Sequence, residues 1–337
     1  MKKYFITNRP SGLGDILCNL AATYFFAKKY GGNVIIDWRH NMYNKGINYE
    51  YKSHVLPNLF SSIFLQPESI NGVDFLMPES DPTYYYNMVP MTCLPVNYNK
   101  LNDSQVDDLK KDLYSKIESN NYIKVEQRIL ENNQIFKELL QCNFPIQNND
   151  GILLENFEYD SFLNNFKLQK NLHKKINDFY DDNFKGHRVI GIQMRYGNLK
   201  LKEPYFRLYP DDGGPWVDND TIIKTIEEQL RFIDTQNVKY FICCDNEEIN
   251  QLILSKFSNS FCYNKTFPEK ESCIHLNNEG IPITLIQESF IDMYLLTKCD
   301  FLIATGHSVY PVWPICKLTD GWKDFSKVRT IFNDRTK

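Results

Sequence analysis

Apolar residues in this chain fall in short unbroken runs, separated by stretches in which they recur at every third or fourth position. That is the signature of strands alternating with helices. Residues 3–8 predict a strand, 15–30 a helix closed by Gly31-Gly32, and 33–38 a second strand. From residue 101 to 184 the composition shifts to Asn, Lys, Asp and Leu, with helical spacing at 107–118, 125–140 and 168–181. Gly186-His187 then precedes a strongly apolar strand at 188–194, which sets a domain boundary just before it. Beyond it the order is a helix at 220–236 with Asp220 as N-cap, a strand at 238–244, a helix at 247–257, a strand at 281–286, a helix at 288–298, a strand at 300–305 and a short helix at 310–317. Repeated βα units imply a parallel sheet covered on both faces. The fold class is α/β, with two Rossmann-like domains facing across a cleft: residues 1–185, carrying a helical insertion, and residues 186–337.

Composition narrows the function. A length of 337 residues fits about two domains at roughly 150 residues each. With 38 Lys+Arg against 42 Asp+Glu the net charge is -4, and no basic run offers a footprint for a nucleic-acid backbone. No apolar stretch approaches the roughly 20 residues that cross a bilayer, so no transmembrane segment is expected. The N-terminus lacks a long apolar region and a small-residue cleavage site, which predicts a cytoplasmic protein. Nine cysteines without Cys-x-x-Cys spacing read as reduced core thiols, and six scattered histidines give no metal-ligand spacing, so no metal site is expected. The Asp218-Asn219-Asp220 spacing resembles a metal-holding Asp-x-Asp, but it opens a helix, where Asp220 serves as a cap. The run Tyr84-Tyr85-Tyr86 offers a sugar-stacking platform, although ordinary packing explains it better in a chain that is 14% aromatic.

Two segments carry candidate chemistry. Gly12-Leu13-Gly14-Asp15, between the first strand and its helix, permits a tight turn and close approach by a ligand. Asp37 stands at the end of the second strand, where a dinucleotide-binding fold places its ribose-binding acid. Against that reading, the third glycine position is Leu17, and Asp15 would repel a pyrophosphate at the helix N-terminus. A loop lining the cleft fits better. In the second domain, Arg195 ends a buried strand, the edge where open α/β sheets bind ligands, so it either pairs with a carboxylate or receives an anionic ligand. Gly197 and Asn198 beside it tolerate the positive φ of a shaped loop. Thr305-Gly306-His307-Ser308 follows another strand and offers N–H groups and hydroxyls to a phosphate.

Ser11-Gly12-Leu13-Gly14-Asp15 with its helix, the stretch Val34-Ile35-Ile36-Asp37-Trp38-Arg39, the segment Arg195-Tyr196-Gly197-Asn198, and the run 290–299 together resemble the NodZ-like α1,6-fucosyltransferases, in order and at plausible spacing. The resemblance implies a GT-B glycosyltransferase, inverting and metal-independent, that moves L-fucose from a GDP-fucose donor to an oligosaccharide or lipid-linked glycan acceptor, with no cofactor beyond the donor. It places the donor on the C-terminal domain and the acceptor on the N-terminal one. It further implies that Arg195 neutralises the diphosphate leaving group, that Tyr196 stands where the family carries a second basic residue, and that Asp245, next to Asn246, binds the nucleoside. Asp292 would accept from the guanine edge, and Thr305, His307 and Ser308 would contact the diphosphate. Glu203, in the loop where related enzymes place an acidic base, would deprotonate the acceptor hydroxyl, with Asp211, Asp212 and Asp15 as rivals. Such an enzyme acts on cytosolic glycans and fits a peripheral place at the inner membrane face. The rival readings are transfer of another GDP-sugar such as a heptose or rhamnose, a dinucleotide-dependent oxidoreductase built on Gly12, Gly14 and Asp37, and a non-catalytic nucleotide- or glycan-binding protein.

Overall fold

The computed structural model describes residues 2–8, 12–39, 58–78, 89–91, 115–125, 146–147, 153–154, 159–196, 218–267, 282–306, 308, 310–320 and 324–332, together with 104, 108 and 111. The chain divides into two units, Met1–Gln169 and Lys170–Lys337.

The first unit opens with β1 (Lys3–Thr7), α1 (Leu13–Tyr30) and β2 (Gly32–Ile36). Gly31 ends α1 in the left-handed region at φ 68°, a conformation glycine adopts without steric cost. A Cβ at Gly32 would lie 2.7 Å from the Phe5 ring, so the strand's closest neighbour excludes any side chain there. There follow α2 (Leu59–Ile63), β3 (Ser69–Ile70), β4 (Val73–Leu76), β5 (Val89–Met91) and β6 (Tyr122–Val125). The short antiparallel pair β7 (Ile146–Gln147) and β8 (Leu153–Leu154) comes next, then α3 (Tyr159–Leu163). The sheet order is β3-β4-β2-β1-β6-β5, parallel except for β3 against β4. Aromatic rings of Tyr24, Phe60, Phe64, Phe75, Phe162 and Phe166 pack on one another in its core. A buried asparagine on α1 locks the sheet's carboxyl edge. Asn19 accepts from the Thr7 hydroxyl at 2.7 Å and donates to the Val125 carbonyl at 2.8 Å, so one amide ties β1 to β6.

The second unit contains α4 (Lys170–Asn183), β9 (Arg188–Met194), α5 (Asn219–Leu230), β10 (Val238–Cys244), α6 (Glu247–Lys256), β11 (Ser260–Phe261), α7 (Ile283–Leu296), β12 (Phe301–Thr305), α8 (Val312–Leu318) and β13 (Val328–Ile331). Its sheet runs β11-β10-β9-β12-β13 and is parallel throughout. The helix α4, which the apolar spacing assigns to the first domain, packs here: Phe179 and the following Phe184 meet Phe241 and Phe261. Gly191 admits α7 to the central strand, because a Cβ there would sit 2.9 Å from Cys299 Sγ and 3.0 Å from Leu296 Cδ2.

Two elements differ from the sequence expectation. Residues 283–286, expected as part of a strand, form the first turn of α7, whose buried residues Leu285, Ile286, Phe290, Ile291, Met293, Leu295 and Leu296 surround much of its circumference. A helix buried on most sides loses its polar face and reads locally like a buried strand. The cap of α5 is Asp218, not Asp220: the Asp218 carboxylate accepts from Thr221 N–H at 2.7 Å, and Asp220 lies inside the first turn. Of the helix expected at 125–140, Val125 ends β6 and the rest lies outside the described residues.

Candidate functional site at the carboxyl edge of the second sheet

From β9 the chain of the second unit builds outward through β10 to β11, then returns to the other side of β9 as β12 and β13. The strand order therefore reverses between β9 and β12. In open α/β sheets, ligands bind in the crevice outside the carboxyl ends of the strands at such a switch point. Arg195 leaves β9 there, and Thr305 ends β12 beside it.

Arg195 is mostly buried, and its Nε lies 3.4 Å from Asp245 Oδ2, at the carboxyl end of the neighbouring β10. The other oxygen of Asp245 accepts from the Tyr196 N–H at 2.8 Å, so one carboxylate holds two successive residues. The cap of α6 is the neighbouring residue: Asn246 Oδ1 accepts from Ile249 N–H at 3.0 Å. Tyr196, expected at the donor, is 7% exposed and packs with Ile190, Ile192 and Met194 in the core of this unit. A cation in its place would bear the cost of burial.

Thr305 is fully buried, and its hydroxyl accepts from the Arg195 N–H at 2.9 Å. The expected N–H cradle is largely engaged within the protein. Gly306 N–H donates to Ile331 C=O at 2.9 Å, Ser308 N–H to Thr305 C=O at 3.2 Å, and Ser308 Oγ accepts from Tyr310 N–H at 3.3 Å. The turn also stops short of a helix, since α8 begins only at Val312.

Asp292, on α7, is 1% exposed and forms an ion pair with Lys265 in the segment after β11. Lys265 also donates to Cys244 C=O at 2.7 Å, at the end of β10. Burial works against the lysine's charge, and the Asp292 carboxylate more than offsets it, holding the ammonium above the usual lysine range. Asp292 Oδ1 is buried with no hydrogen-bond partner among the described residues. Sequence reasoning missed Lys265, because a lysine in a stretch without strand or helix periodicity carries no local mark of burial. The adjacent thiols of Cys243 and Cys244 are pushed up by burial and are held as thiols.

In the first unit, Gly12 precedes α1 with φ -65°, and Leu13, Gly14 and Asp15 form its first turn instead of a separate loop. Asp37, the candidate ribose acid, is fully buried and bidentate to Arg39, with Nε to Oδ1 at 2.8 Å and a terminal nitrogen to Oδ2 at 3.1 Å. A carboxylate bound this way is not presented to a ribose, which removes the basis of the dinucleotide reading. Gly197, Asn198, Glu203, Asp211, Asp212, His307 and the run Tyr84 to Tyr86 lie outside the described residues. Among the described residues no helix is long and apolar enough to cross a membrane.

With this geometry in place, comparisons with known proteins give a consistent answer. The nodulation protein Z of Azorhizobium caulinodans is 23% identical over 337 residues, spanning 97% of this chain and 92% of that protein. That of Bradyrhizobium diazoefficiens is 22% identical over 311 residues, spanning 89% and 75%. The crystal structure of the fucosyltransferase NodZ from Bradyrhizobium superposes with a TM-score of 0.59 at 20% identity, covering 94% of both chains, and so shares the two-domain GT-B fold. A structure of NodZ α1,6-fucosyltransferase co-crystallised with GDP gives 0.57 at 20% identity, covering 93% of this chain and 92% of that one. The sequence matches the family described as Nodulation protein Z (NodZ) over residues 1–325, so the chain belongs to the NodZ family.

Proposed function

We propose that this chain is a glycosyltransferase that moves L-fucose from GDP-fucose to a glycan hydroxyl with inversion, in the manner of an α1,6-fucosyltransferase. The observation that carries the reading is Arg195, set at the switch point of a parallel sheet and aligned by Asp245. Support comes from the family and from relatives whose structures were obtained with GDP and GDP-fucose.

In this reading the Arg195 guanidinium neutralises the charge that gathers on the diphosphate as the bond from the anomeric carbon to GDP breaks. The Asp245 contact engages Nε, one of the group's five N–H donors, and orients the planar fork. That fixed cation supplies the charge compensation a diphosphate leaving group needs without calling on a metal. Asp292 is the carboxylate for the guanine N1–H and N2–H2 edge; burial raises its pKa, and Lys265 beside it works in the opposite direction, favouring the ionised form. Asn246, Ser308, Gly197, Asn198 and His307 border the donor. Glu203 takes the proton of the acceptor hydroxyl as its oxygen attacks, so the glycosidic bond forms as GDP leaves. The first unit, with residues 12–15 at its sheet edge, takes the oligosaccharide or lipid-linked acceptor. The enzyme works in the cytoplasm, at the inner membrane face where a lipid-linked acceptor requires it.

The test is hydrolysis and transfer of GDP-fucose by wild type, Arg195→Ala and Glu203→Gln. Wild type consumes the donor, Arg195→Ala loses GDP affinity and turnover together, and Glu203→Gln binds GDP normally but turns over slowly. Equal GDP affinity in wild type and Arg195→Ala contradicts the proposal.

A further inference from the structure

Gln193 is the polar residue among the buried positions of the central strand β9, 2% exposed, and Thr305 is fully buried. Burying an amide and a hydroxyl costs free energy that only hydrogen bonds recover, so their partners show what they are for. The parallel pairing of β9 with β12 reaches Gln193 opposite Ala304 and stops. One residue further, the strands part to open the switch point, and the Arg195 N–H would be left without a ladder partner. Thr305 Oγ1 fills that place, accepting from Arg195 N–H at 2.9 Å. The same hydroxyl donates to Gln193 C=O at 3.3 Å, and Thr305 N–H donates to the Gln193 side-chain Oε1 at 3.1 Å. Three hydrogen bonds thus close a buried ring through Gln193, Thr305 and the backbone of Arg195. On the opposite side Asp245 holds Tyr196 N–H and Arg195 Nε. Two consecutive peptide N–H groups are therefore fixed by side chains from either side of β9, Thr305 at the end of β12 and Asp245 just past β10.

We infer that Gln193 and Thr305 form a clamp that positions Arg195 for an anionic diphosphate, so that both are positioning residues and neither touches the donor. The inference rests on the proposed function and adds to it the residues that make the arginine effective. The hydroxyl and N–H of Thr305 are both taken up by Arg195 and Gln193, and an apolar pair would have filled the same space without the cost of two buried polar side chains. The register explains the residue types: Thr places a hydroxyl one position past the last paired residue, and Gln has the length to reach the Thr305 N–H.

The test is a double-mutant cycle on GDP affinity and GDP-fucose turnover in the intact chain, using Thr305→Val, Thr305→Ser and Arg195→Ala, with folding checked by circular dichroism. Thr305→Val, close in shape but without the hydroxyl, is expected to weaken GDP binding about tenfold, the worth of one lost buried hydrogen bond. Thr305→Ser restores affinity to within about twofold of wild type, because the hydroxyl is retained. In the Arg195→Ala background, Thr305→Val has no further effect, since there is no guanidinium left to place. A purely structural role would weaken binding equally in both backgrounds, and that result, or wild-type affinity in a folded Thr305→Val protein, overturns the inference. If Thr305→Val does not fold, Gln193→Met, of similar volume and without the acceptor, runs through the same cycle with the same outcomes. Should Arg195→Ala itself bind GDP like wild type, the proposed function fails and the clamp falls with it; loss in Arg195→Ala but not in Thr305→Val removes the clamp alone.

Discussion

At the scale of single residues, Lys265 and Asp292 form a buried ion pair in the second unit. Lys265 and Asp292 are 8% and 1% exposed, so each depends on the other for compensation. Removing the lysine in Lys265→Met leaves a buried carboxylate unpaired and should cost about 3–5 kcal/mol, measured as a fall in denaturation midpoint. Replacing both partners with apolar residues should recover most of that loss. The pH dependence has a definite sign. The ammonium is held above its unfolded range, so its contribution is complete below the ordinary lysine pKa of about 10.4 and is lost as pH rises through the higher folded value. Burial also pushes the Asp292 carboxyl above the usual carboxylate range, and further once Lys265 is gone. The stability gap between wild type and Lys265→Met should therefore narrow on acidification, as the unpaired carboxylate takes up a proton, and narrow again in strong alkali. A gap that widens on acidification contradicts this assignment. Arg195 was legible because an arginine ending an apolar run is rare and costly. Its partner was not: Asp245 and Asn246 are adjacent polar residues at a strand end, and only the geometry shows that Asn246 caps the helix and Asp245 pairs with Arg195.

At the scale of elements, patterning served well wherever a strand or helix has two distinct faces, or where a strand is buried on both. β9, β10 and β12 lie within a residue of their expected bounds, as do the ends of α1 and α6 set by Gly31 and Asn246. It failed on α7, where burial on most sides erased the helical period, and on the two-residue β11 and the terminal β13, which are too short or too mixed in character to stand out. The cap of α5 offers a check on the corrected boundary. Asp218 is held below the usual carboxylate range by the Thr221 backbone N–H, so its support of the helix is present above the unfolded Asp pKa and is lost as pH falls through the lower folded value. Asp218→Asn, also a good cap, should abolish that acid dependence, whereas Asp220→Asn should leave it unchanged; the reverse result would restore Asp220 as the cap. Packing supplies a second check, because a methyl at Gly191 meets Cys299 and Leu296. Gly191→Ala should lose about 1–3 kcal/mol through overpacking against α7, read from chemical denaturation.

At the scale of the whole molecule, both sheets place their first strand in the interior and build outward on either side, which gives each unit a switch point at its carboxyl edge. The α/β class and the two units follow from the alternation of apolar runs, and family membership was legible in motifs of which three sit at or next to those edges and the fourth, the run 290–299, lies in and just after α7. What the sequence left hidden is how the site is held together: the clamp on Arg195 and the Lys265 pair join residues distant in the chain, and no local pattern marks such couplings. The central claim, that Arg195 at the second switch point receives the diphosphate of a GDP-sugar, is tested most directly by calorimetric titration of the wild-type chain and Arg195→Ala with GDP, UDP, dTDP and NAD in the presence of EDTA. Selective binding of GDP by wild type, lost in Arg195→Ala, is the predicted result; no GDP binding, a preference for NAD, or undiminished GDP binding by Arg195→Ala would contradict it.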